Sequence, residues 1–437
     1  MRKTILAIVL CMLLFSLPAS LAGGYTNLTA LQAKSMIDST PSMVVLDVRT
    51  QDEYNSGHIK NTRHIPLAEL EGRLGELDPT SEILVYCMLG GRSATASQLL
   101  VDNGFLHVYN MLGGLTAWTD AEYPVYVRYS SIQGAINETH TGETIFVSQG
   151  LYYEHLNITK PLTLVGENAE TTIIDGEDSG TIVRVEADGV AVTDFTLRKC
   201  GCPCGGNSGV YIESGHRNVD VTHNLITQNG GYGISVDGSR EVNLADNALT
   251  NNNYGVRLNN STQITVVDNA ISNNTNFGIY VSFSNNSAFH GNDISNNTYG
   301  IGLFYSINNT YCHNNIINNA EPVYVYDSSD TWDNGCEGNY WSDYNGLDSN
   351  SDGIGDTYLP WEDVDNYPLM TVYWNPGDVD HDLDVDIFDV VKAASAYDST
   401  PPDTNWNPHC DIAQPYGVIS IYDIVLIAGS YGKEQHP

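Results

Sequence analysis

One cysteine stands where a cysteine could do covalent chemistry. Cys87 opens the run Cys87-Met88-Leu89-Gly90-Gly91-Arg92-Ser93. Before it, Ile83-Leu84-Val85-Tyr86 has the pattern of a short buried strand. After it, Ser93 to Asn103 reads as an amphipathic helix closed by Gly104. A tight loop between strand and helix turns successive backbone N–H groups inward, and the helix adds the positive end of its dipole. Such surroundings lower a thiol pKa and cradle an anion. They meet the requirement for a cysteine that attacks sulfur or carries it.

Two acidic runs have the spacing for a different chemistry. Asp378, Asp380, Asp382, Asp384, Asp386 and Asp389 stand at positions 1, 3, 5, 7, 9 and 12 of one segment. Calcium takes about six to eight oxygens, and this spacing wraps a loop around one ion. A solvated acidic run is the alternative; the regular spacing beside a helical Val390-Val391-Lys392-Ala393 favours calcium. Asp348, Asn350, Asp352 and Asp356 form a weaker version, with Gly353 as its turn residue.

The cysteine loop needs a frame. Residues from about 25 to 125 alternate strand and helix signals, and Met43-Val44-Val45-Leu46 is a second buried-strand pattern, ending at Asp47. This alternation predicts a parallel sheet with ligands at the C-terminal ends of its strands.

From about residue 130 to 330 the composition shifts to Asn, Gly, Ile, Val and Tyr. Asn224-Leu225-Ile226, Asn247-Ala248-Leu249, Asn269-Ala270-Ile271, Asn292-Asp293-Ile294 and Asn315-Ile316-Ile317 recur every 22 or 23 residues. Tyr232-Gly233-Ile234, Tyr254-Gly255-Val256, Phe277-Gly278-Ile279 and Tyr299-Gly300-Ile301 recur in step. Each unit holds too many Asn, Gly and Thr for paired helices, and alternating segments around Ile264 and Ile279 read as strands. The expected form is a right-handed parallel β-helix with one coil per repeat. Asparagines at its turns would tolerate left-handed backbone and stack from coil to coil. Tyr232, Tyr254, Phe277 and Tyr299 would form an aromatic ladder.

Asp246 and Asp268 precede equivalent asparagines and should lie about one strand spacing, ~5 Å, apart. They are a catalytic or calcium-binding pair on one reading and turn aspartates on the other, which the turn chemistry favours. A lyase needs a strong base and a hydrolase paired carboxylates. Between residues 218 and 330 Arg240 and Arg257 are the only basic side chains besides histidine, so glycan binding is expected over cleavage. Cys200, Cys202 and Cys204 would share one face of a strand. A metal site would lack its second half, so a local disulfide or a loop insertion is expected.

Arg2 and Lys3, an apolar run from Ile5 to Leu17, and Ser20-Leu21-Ala22 read as a signal peptide over residues 1–22. Cys11 lies in it, which leaves seven of the eight cysteines. An odd count implies a free thiol or an intermolecular bond, and Cys87 is the expected free one. Asn27, Asn137, Asn157, Asn260, Asn274, Asn286, Asn297 and Asn309 each start or overlap an N-x-S/T triplet. A glycosylated surface and a by-product of Asn-rich turns both remain open. Asp and Glu number 53 against 18 Lys and Arg, a net charge of -35. That charge repels phosphate backbones, so nucleic acid is excluded as a partner, and it suits divalent cations and a secreted or cell-surface life.

Asp47-Val48-Arg49, then Glu53-Tyr54-Asn55-Ser56-Gly57-His58-Ile59, then Ile65-Pro66-Leu67, the Cys87 loop and Gly113-Gly114-Leu115-Thr116-Ala117-Trp118 together resemble a single rhodanese domain over residues 25–125. The resemblance implies an α/β sulfurtransferase that takes sulfur from a sulfane donor and passes it to a thiol acceptor. Cys87 would be the persulfide-forming nucleophile. The backbone of Met88, Leu89, Gly90, Gly91, Arg92 and Ser93 would bind the sulfur and the donor's oxygens, with Arg92 closing the loop and Ser93 opening the helix. The chain departs from the pattern at Met88, where many rhodaneses carry a basic residue.

Ile132-Gln133-Gly134-Ala135-Ile136, Gly338-Asn339-Tyr340-Trp341-Ser342-Asp343-Tyr344 and Asp365-Asn366-Tyr367-Pro368-Leu369 resemble the opening and closing coils of NosD-type and carbohydrate-active β-helices over residues 130–370. That superfamily includes lyases, hydrolases and binding proteins. Residues 375–434 resemble a type I dockerin, or an archaeal relative of one: a small α-helical calcium module that docks a cohesin-like partner or attaches to a cell surface. Its second half, Asp411 to Asp423, has one extra residue and no acid in between. The expectation is a multidomain exported protein with sulfurtransferase chemistry, a glycan-binding β-helix and calcium-dependent attachment. Its alternatives are an adhesion protein with an inactive rhodanese domain and a polysaccharide-degrading β-helix enzyme.

Overall fold

The computed structural model describes residues 24–373 except 203, 204 and 351, and beyond them only positions 390, 391, 393, 394, 397 and 424. The signal-peptide segment and the dockerin-like segment, with its Asp378 to Asp389 loop, therefore lie outside the described residues. There are two compact units: one runs to Tyr129 and takes in Phe146–Ser148, and the other begins at Ser130. No helix among the described residues is long and apolar enough to cross a membrane.

The first unit is built on five strands: β1 (Thr26–Leu28), β2 (Val44–Asp47), β3 (Arg63–His64), β4 (Glu82–Tyr86) and β5 (His107–Met111). They lie in the order β1-β5-β4-β2-β3, every pair parallel. Its helices are α1 (Ala30–Ser39), α2 (Gln51–Asn55), α3 (Leu67–Leu70), α4 (Gly91–Asp102) and α5 (Gly114–Asp120). A parallel sheet covered on both faces needs apolar residues on both, and β4 is apolar at every position after Glu82. Ile83 and Val85 join a core with Leu46, Ala96 and Leu100, whereas Leu84 and Tyr86 join another with Ala33, Met111 and Trp118. Helix α4 starts two residues before Ser93, with Gly90 as its N-cap, and ends against Asn103. Gly104 follows at φ +88°, the left-handed position that suits a glycine after a helix.

The second unit opens with a short helix, Ile132–Glu138. Glu154 caps it by accepting from the N–H groups of Ile132 at 2.7 Å and Gln133 at 3.0 Å. The chain then coils through three parallel sheets of nine, eight and nine strands. Equivalent residues of successive coils pair in register. Ile226, Leu249, Ile271, Ile294 and Ile316 form one interior row, and Ile234, Val256, Ile279, Ile301 and Val323 another. The solenoid of parallel strands read from the repeat is thus present.

Turning and stacking are divided between neighbouring residues. His223, Asp246, Asp268, Gly291 and His313 take left-handed backbone. The residues after them, Asn224, Asn247, Asn269, Asn292 and Asn314, are buried. Each of these amides donates to the side-chain oxygen of its counterpart one coil on, at 2.8–3.1 Å. The last coil therefore uses Asn314 and not Asn315: Asn315 pairs with Asp293, one residue off the expected register. The row continues to Asn339 and ends on buried Asp365, which accepts from the Asn339 N–H at 2.8 Å and from the Trp341 indole at 2.8 Å. A carboxylate is a fitting terminus, because it accepts and has nothing left to donate. A second row, Asn229, Asn252, Asn274, Asn297 and Asn319, runs in parallel.

The expected aromatic ladder is present. Tyr232 and Tyr254 lie 5.1 Å apart, Tyr254 and Phe277 5.7 Å, and Phe277 and Tyr299 4.6 Å. The strand Thr196–Arg198 ends before Cys200, so Cys200 and Cys202 lie outside it; Cys200 is buried and free, whereas Cys202 is disulfide-bonded. Asn274, Asn297 and Asn309 are buried, but they are the middle residues of their triplets; the acceptor positions Asn273, Asn296 and Asn308 are exposed, so both readings of these triplets stay open.

Candidate active site

Cys87 follows β4 directly, at the C-terminal end of the central strand. Pairing of β4 between β2 and β5 brings the ends of all three strands to one edge of the sheet. The loop Met88 to Gly90 then turns into α4. Its backbone is braced from α5, where the Leu115 and Thr116 N–H groups donate to the Cys87 and Met88 carbonyls at 2.7 and 3.1 Å. So close an approach explains the glycine beside them. Gly114 sits at φ +56°, and a Cβ there would stand 2.2 Å from the Cys87 carbonyl oxygen.

The Cys87 sulfur is 2% exposed as part of its residue. It accepts from the Gly90 N–H at 3.1 Å and faces the Ser93 hydroxyl at 3.6 Å. Burial pushes the thiol up, but the Ser93 hydroxyl and the N–H groups of Ser93, Leu89 and Gly90 outweigh it, so the pKa falls below that of an ordinary cysteine. Met88 packs on the Leu84–Trp118 core, whereas Leu89 is exposed. Gly91 begins the helix.

Arg92 does not point free into the loop. Its two terminal nitrogens meet the two oxygens of Glu53 at 2.7 and 2.6 Å. Glu53 is held in turn by the N-terminal capping box of α2, where it accepts from the Thr50 N–H and hydroxyl at 3.1 and 2.9 Å. The Arg92 guanidinium, with Thr50 behind, holds the Glu53 carboxyl down to about 2. Beside this pair, Asp47 and Arg49 form a fully buried ion pair at 2.6 Å, and Arg49 also donates to the Gly57 carbonyl at 2.6 Å.

Three residues of this site have no role in the reading of the sequence alone. Glu53 orients Arg92, and its Thr50-x-x-Glu53 spacing was a readable capping signal. Asn110 accepts from Ser93 at 2.7 Å and donates to Asn27 at 2.8 Å. Nothing in the sequence around Asn27 and Asn110 marks them; the β1–β5 register sets them side by side.

The weaker acidic loop is folded on itself. Asp348 accepts from the Asp352 and Gly353 N–H groups at 3.2 and 2.9 Å, Asn350 and Asp352 bond at 2.9 Å, and Asp356 accepts from the Ser349 N–H at 2.7 Å. Asp246 and Asp268 both occupy left-handed turn positions, and Asp246 lies 3.8 Å from His223.

Two family models match the chain. The rhodanese-like domain model matches residues 29–121, and the model described as periplasmic copper-binding protein (NosD) matches residues 136–346. Copper is held by convergent imidazole and sulfur donors. Among the described residues no group of three or more His, Cys, Asp or Glu converges in that way, so they do not fit a copper centre.

A putative sulfur carrier protein of Bacillus subtilis, YrkF, is 41% identical over 86 residues, which are 20% of this chain and 46% of that protein. The chain thus spans less than half of that relative. The thiosulfate sulfurtransferase GlpE of Coxiella burnetii is 35% identical over 94 residues, 22% of this chain and 87% of that protein. The crystal structure of a rhodanese-related protein from Thermoplasma volcanium is 32% identical and covers 24% of this chain and 100% of its own, with a TM-score of 0.22. Through its first unit, this chain belongs to the rhodanese family.

Proposed function

We propose that the chain is an exported sulfurtransferase that carries sulfane sulfur on Cys87. The supporting observation is the Cys87 sulfur in a cradle of N–H donors at the end of the central strand, with its pKa lowered. The Cys87 thiolate attacks the outer sulfur of a sulfane donor. The new S–S bond forms as the donor's own S–S bond breaks, and the donor leaves with the bonding pair, as sulfite in the case of thiosulfate. The thiolate of an acceptor then attacks the outer sulfur of the persulfide, and Cys87 leaves as thiolate. The loop N–H groups hold the negative sulfur in both states. With apolar Met88 directly after Cys87, that position adds no steering charge, so an uncharged or polymeric sulfane donor suits the loop as well as thiosulfate does. Mass spectrometry of the protein after incubation with thiosulfate and with polysulfide is the test. The peptide bearing Cys87 gains one sulfur, and the Cys87→Ser protein gains none; no adduct with either donor would overturn the reading.

The β-helix is read as a glycan-binding surface. Tyr280 and Phe304 lie 4.9 Å apart and Phe304 and Tyr324 5.4 Å, while Phe283, Tyr305, Tyr324 and Tyr326 are exposed. Aromatic rings in a polar, Asn-rich setting suit the apolar faces of sugars. A glycan array read with the native protein and with Tyr324→Ala tests this, and equal binding by both would reject the site. Attachment is assigned to residues 375–434, with calcium on Asp378, Asp380, Asp382, Asp384, Asp386 and Asp389 and a cohesin-like or cell-surface partner. A pull-down with and without chelator tests partner and metal together.

A further inference from the structure

The Ser93 hydroxyl has one proton and three acceptors within reach. Asn110 Oδ1 is at 2.7 Å, the Gly90 carbonyl at 3.1 Å and the Cys87 sulfur at 3.6 Å. With the proton on Asn110, Ser93 turns a lone pair to the sulfur, which suits a neutral thiol that donates. A sulfur anion needs the reverse, a hydroxyl that donates to it. Asn110 is 2% exposed, so its amide cannot turn to water when Ser93 turns away. It can rotate its NH₂ toward Ser93 instead, which brings its oxygen toward Asn27. Asn27 lies opposite in the β1–β5 register, and its residue is exposed, so it can turn its own amide to match and meet solvent on the other side.

We propose that Asn110, backed by Asn27, is a positioning residue that reverses the hydrogen-bond direction of the Asn27–Asn110–Ser93–Cys87 chain when the Cys87 sulfur becomes negative. In one direction the chain stabilises the thiol. In the other it delivers the Ser93 proton to the thiolate or persulfide. The inference rests on the reading of Cys87 as the sulfur carrier, but it concerns the charge on sulfur and needs no donor. The charged groups facing the thiol are Arg92 from α4 and, paired to it, Glu53 from α2. Asp47 and Arg49, at the end of β2, are neutralised by each other. None of these belongs to the chain, so their contribution is common to all the variants below.

The experiment follows the pH dependence of alkylation of the full chain by a small reagent, with the Cys87 peptide quantified by mass spectrometry. In Asn110→Asp the carboxylate only accepts, so it keeps the Ser93 proton. The Cys87 midpoint rises, and labelling at neutral pH slows about tenfold. In Asn110→Leu the competing acceptor is gone, so the midpoint stays or falls. A rise in Asn110→Asp with no rise in Asn110→Leu is the signature of the chain, since a residue that only fills space shifts both alike. Asn27→Asp, at an exposed position that tolerates change, pins the Asn110 NH₂ away from Ser93 and raises the midpoint as well. In a Ser93→Ala background the Asn110→Asp shift shrinks to what its charge exerts through space. An equal Asn110→Asp shift with and without Ser93, or a rise in Asn110→Leu matching that in Asn110→Asp, would overturn the proposal. If the midpoints move as stated and no persulfide ever forms, the positioning role stands and the sulfurtransferase reading falls.

Discussion

Both oxygens of Glu53 are engaged by both terminal nitrogens of Arg92, 39 residues apart in the chain, at 2.6 and 2.7 Å. The contact ties the N-terminus of α2 to the first turn of α4, and so to the loop that carries Cys87. A planar guanidinium meeting a carboxylate at two points fixes direction as well as distance.

Glu53→Gln tests this tie cleanly, because a glutamine at the same place keeps the capping box and loses the ion pair. The side chains are 30% and 38% exposed, so solvent screening limits the stability cost to about 1 kcal/mol. Glu53 titrates lower in the folded state than in the unfolded one. Its contribution is therefore complete above the ordinary carboxylate value and is lost as pH falls toward about 2. Thermal melts of the native protein and the variant should differ at pH 6 and converge in that acid window. A gap that persists at the acid end would assign the effect to something other than this carboxylate.

Cys87 is not the single free thiol expected: among the described residues Cys200, Cys312 and Cys336 are free as well, and three of the four should separate by pH. Cys87 is shifted down by its N–H and hydroxyl donors, whereas burial pushes Cys312 up and Cys200 to about 11. Alkylation followed peptide by peptide should give a lower midpoint at Cys87 than at either Cys312 or Cys200. A Cys87 midpoint above that of Cys312 would mean that the loop does not stabilise an anion.

Gly114→Ala should destabilise the first unit by roughly 2 kcal/mol or more, measured by chemical denaturation. The added Cβ meets the Cys87 carbonyl oxygen at 2.2 Å and the Met88 backbone at 2.7 Å. Backbone cannot swing aside as a flexible side chain would, and φ +56° adds strain of its own. Whatever protein folds should also lose its lowered Cys87 midpoint, since the loop must shift.

In the β-helix, Asn269→Ala should cost about 3 kcal/mol. Its amide nitrogen serves the Leu244 and Val267 carbonyls, each at 2.8 Å, and it links Asn247 to Asn292. Asn273 is exposed, turns the chain at φ +56° and makes an exposed bond to the neighbouring Ser272 hydroxyl, so Asn273→Gly should stay within about 0.5 kcal/mol of the native protein. Equal melting temperatures for the two variants would refute the division of labour between turning and stacking residues.

Much of this was legible in the chain itself. The alternating strand and helix signals predicted the parallel sheet, and the strand β2 ends at Asp47 as read. The 22- to 23-residue period predicted stacked coils, and the aromatic row followed from the same register. The closing motifs around Asn339 and Asp365 now have a physical reason, because the asparagine row ends on that carboxylate. The slip at Asn315 arose because Asn314 and Asn315 are identical in type. Sequence spacing cannot say which of two adjacent asparagines faces inward, whereas the pairing of Ile316 with Ile294 settles it. The residues of the Cys87 site divide in the same way. Cys87, the glycines of its loop and the helix behind it are contiguous, so local backbone rules reach them. Glu53, Asn27 and Asn110 come from other elements and act only because strands and helices distant in sequence are packed edge to edge.

The order of residue types along the chain was enough to determine where the sulfur chemistry could sit and how the repeats must stack, because both depend on local geometry and fixed period. Which side chains surround the sulfur, which partner restrains Arg92 and where the asparagine row ends were decided by tertiary structure alone. Those contacts depend on directions in space between strands and helices far apart in sequence, and spacing along one dimension does not encode them.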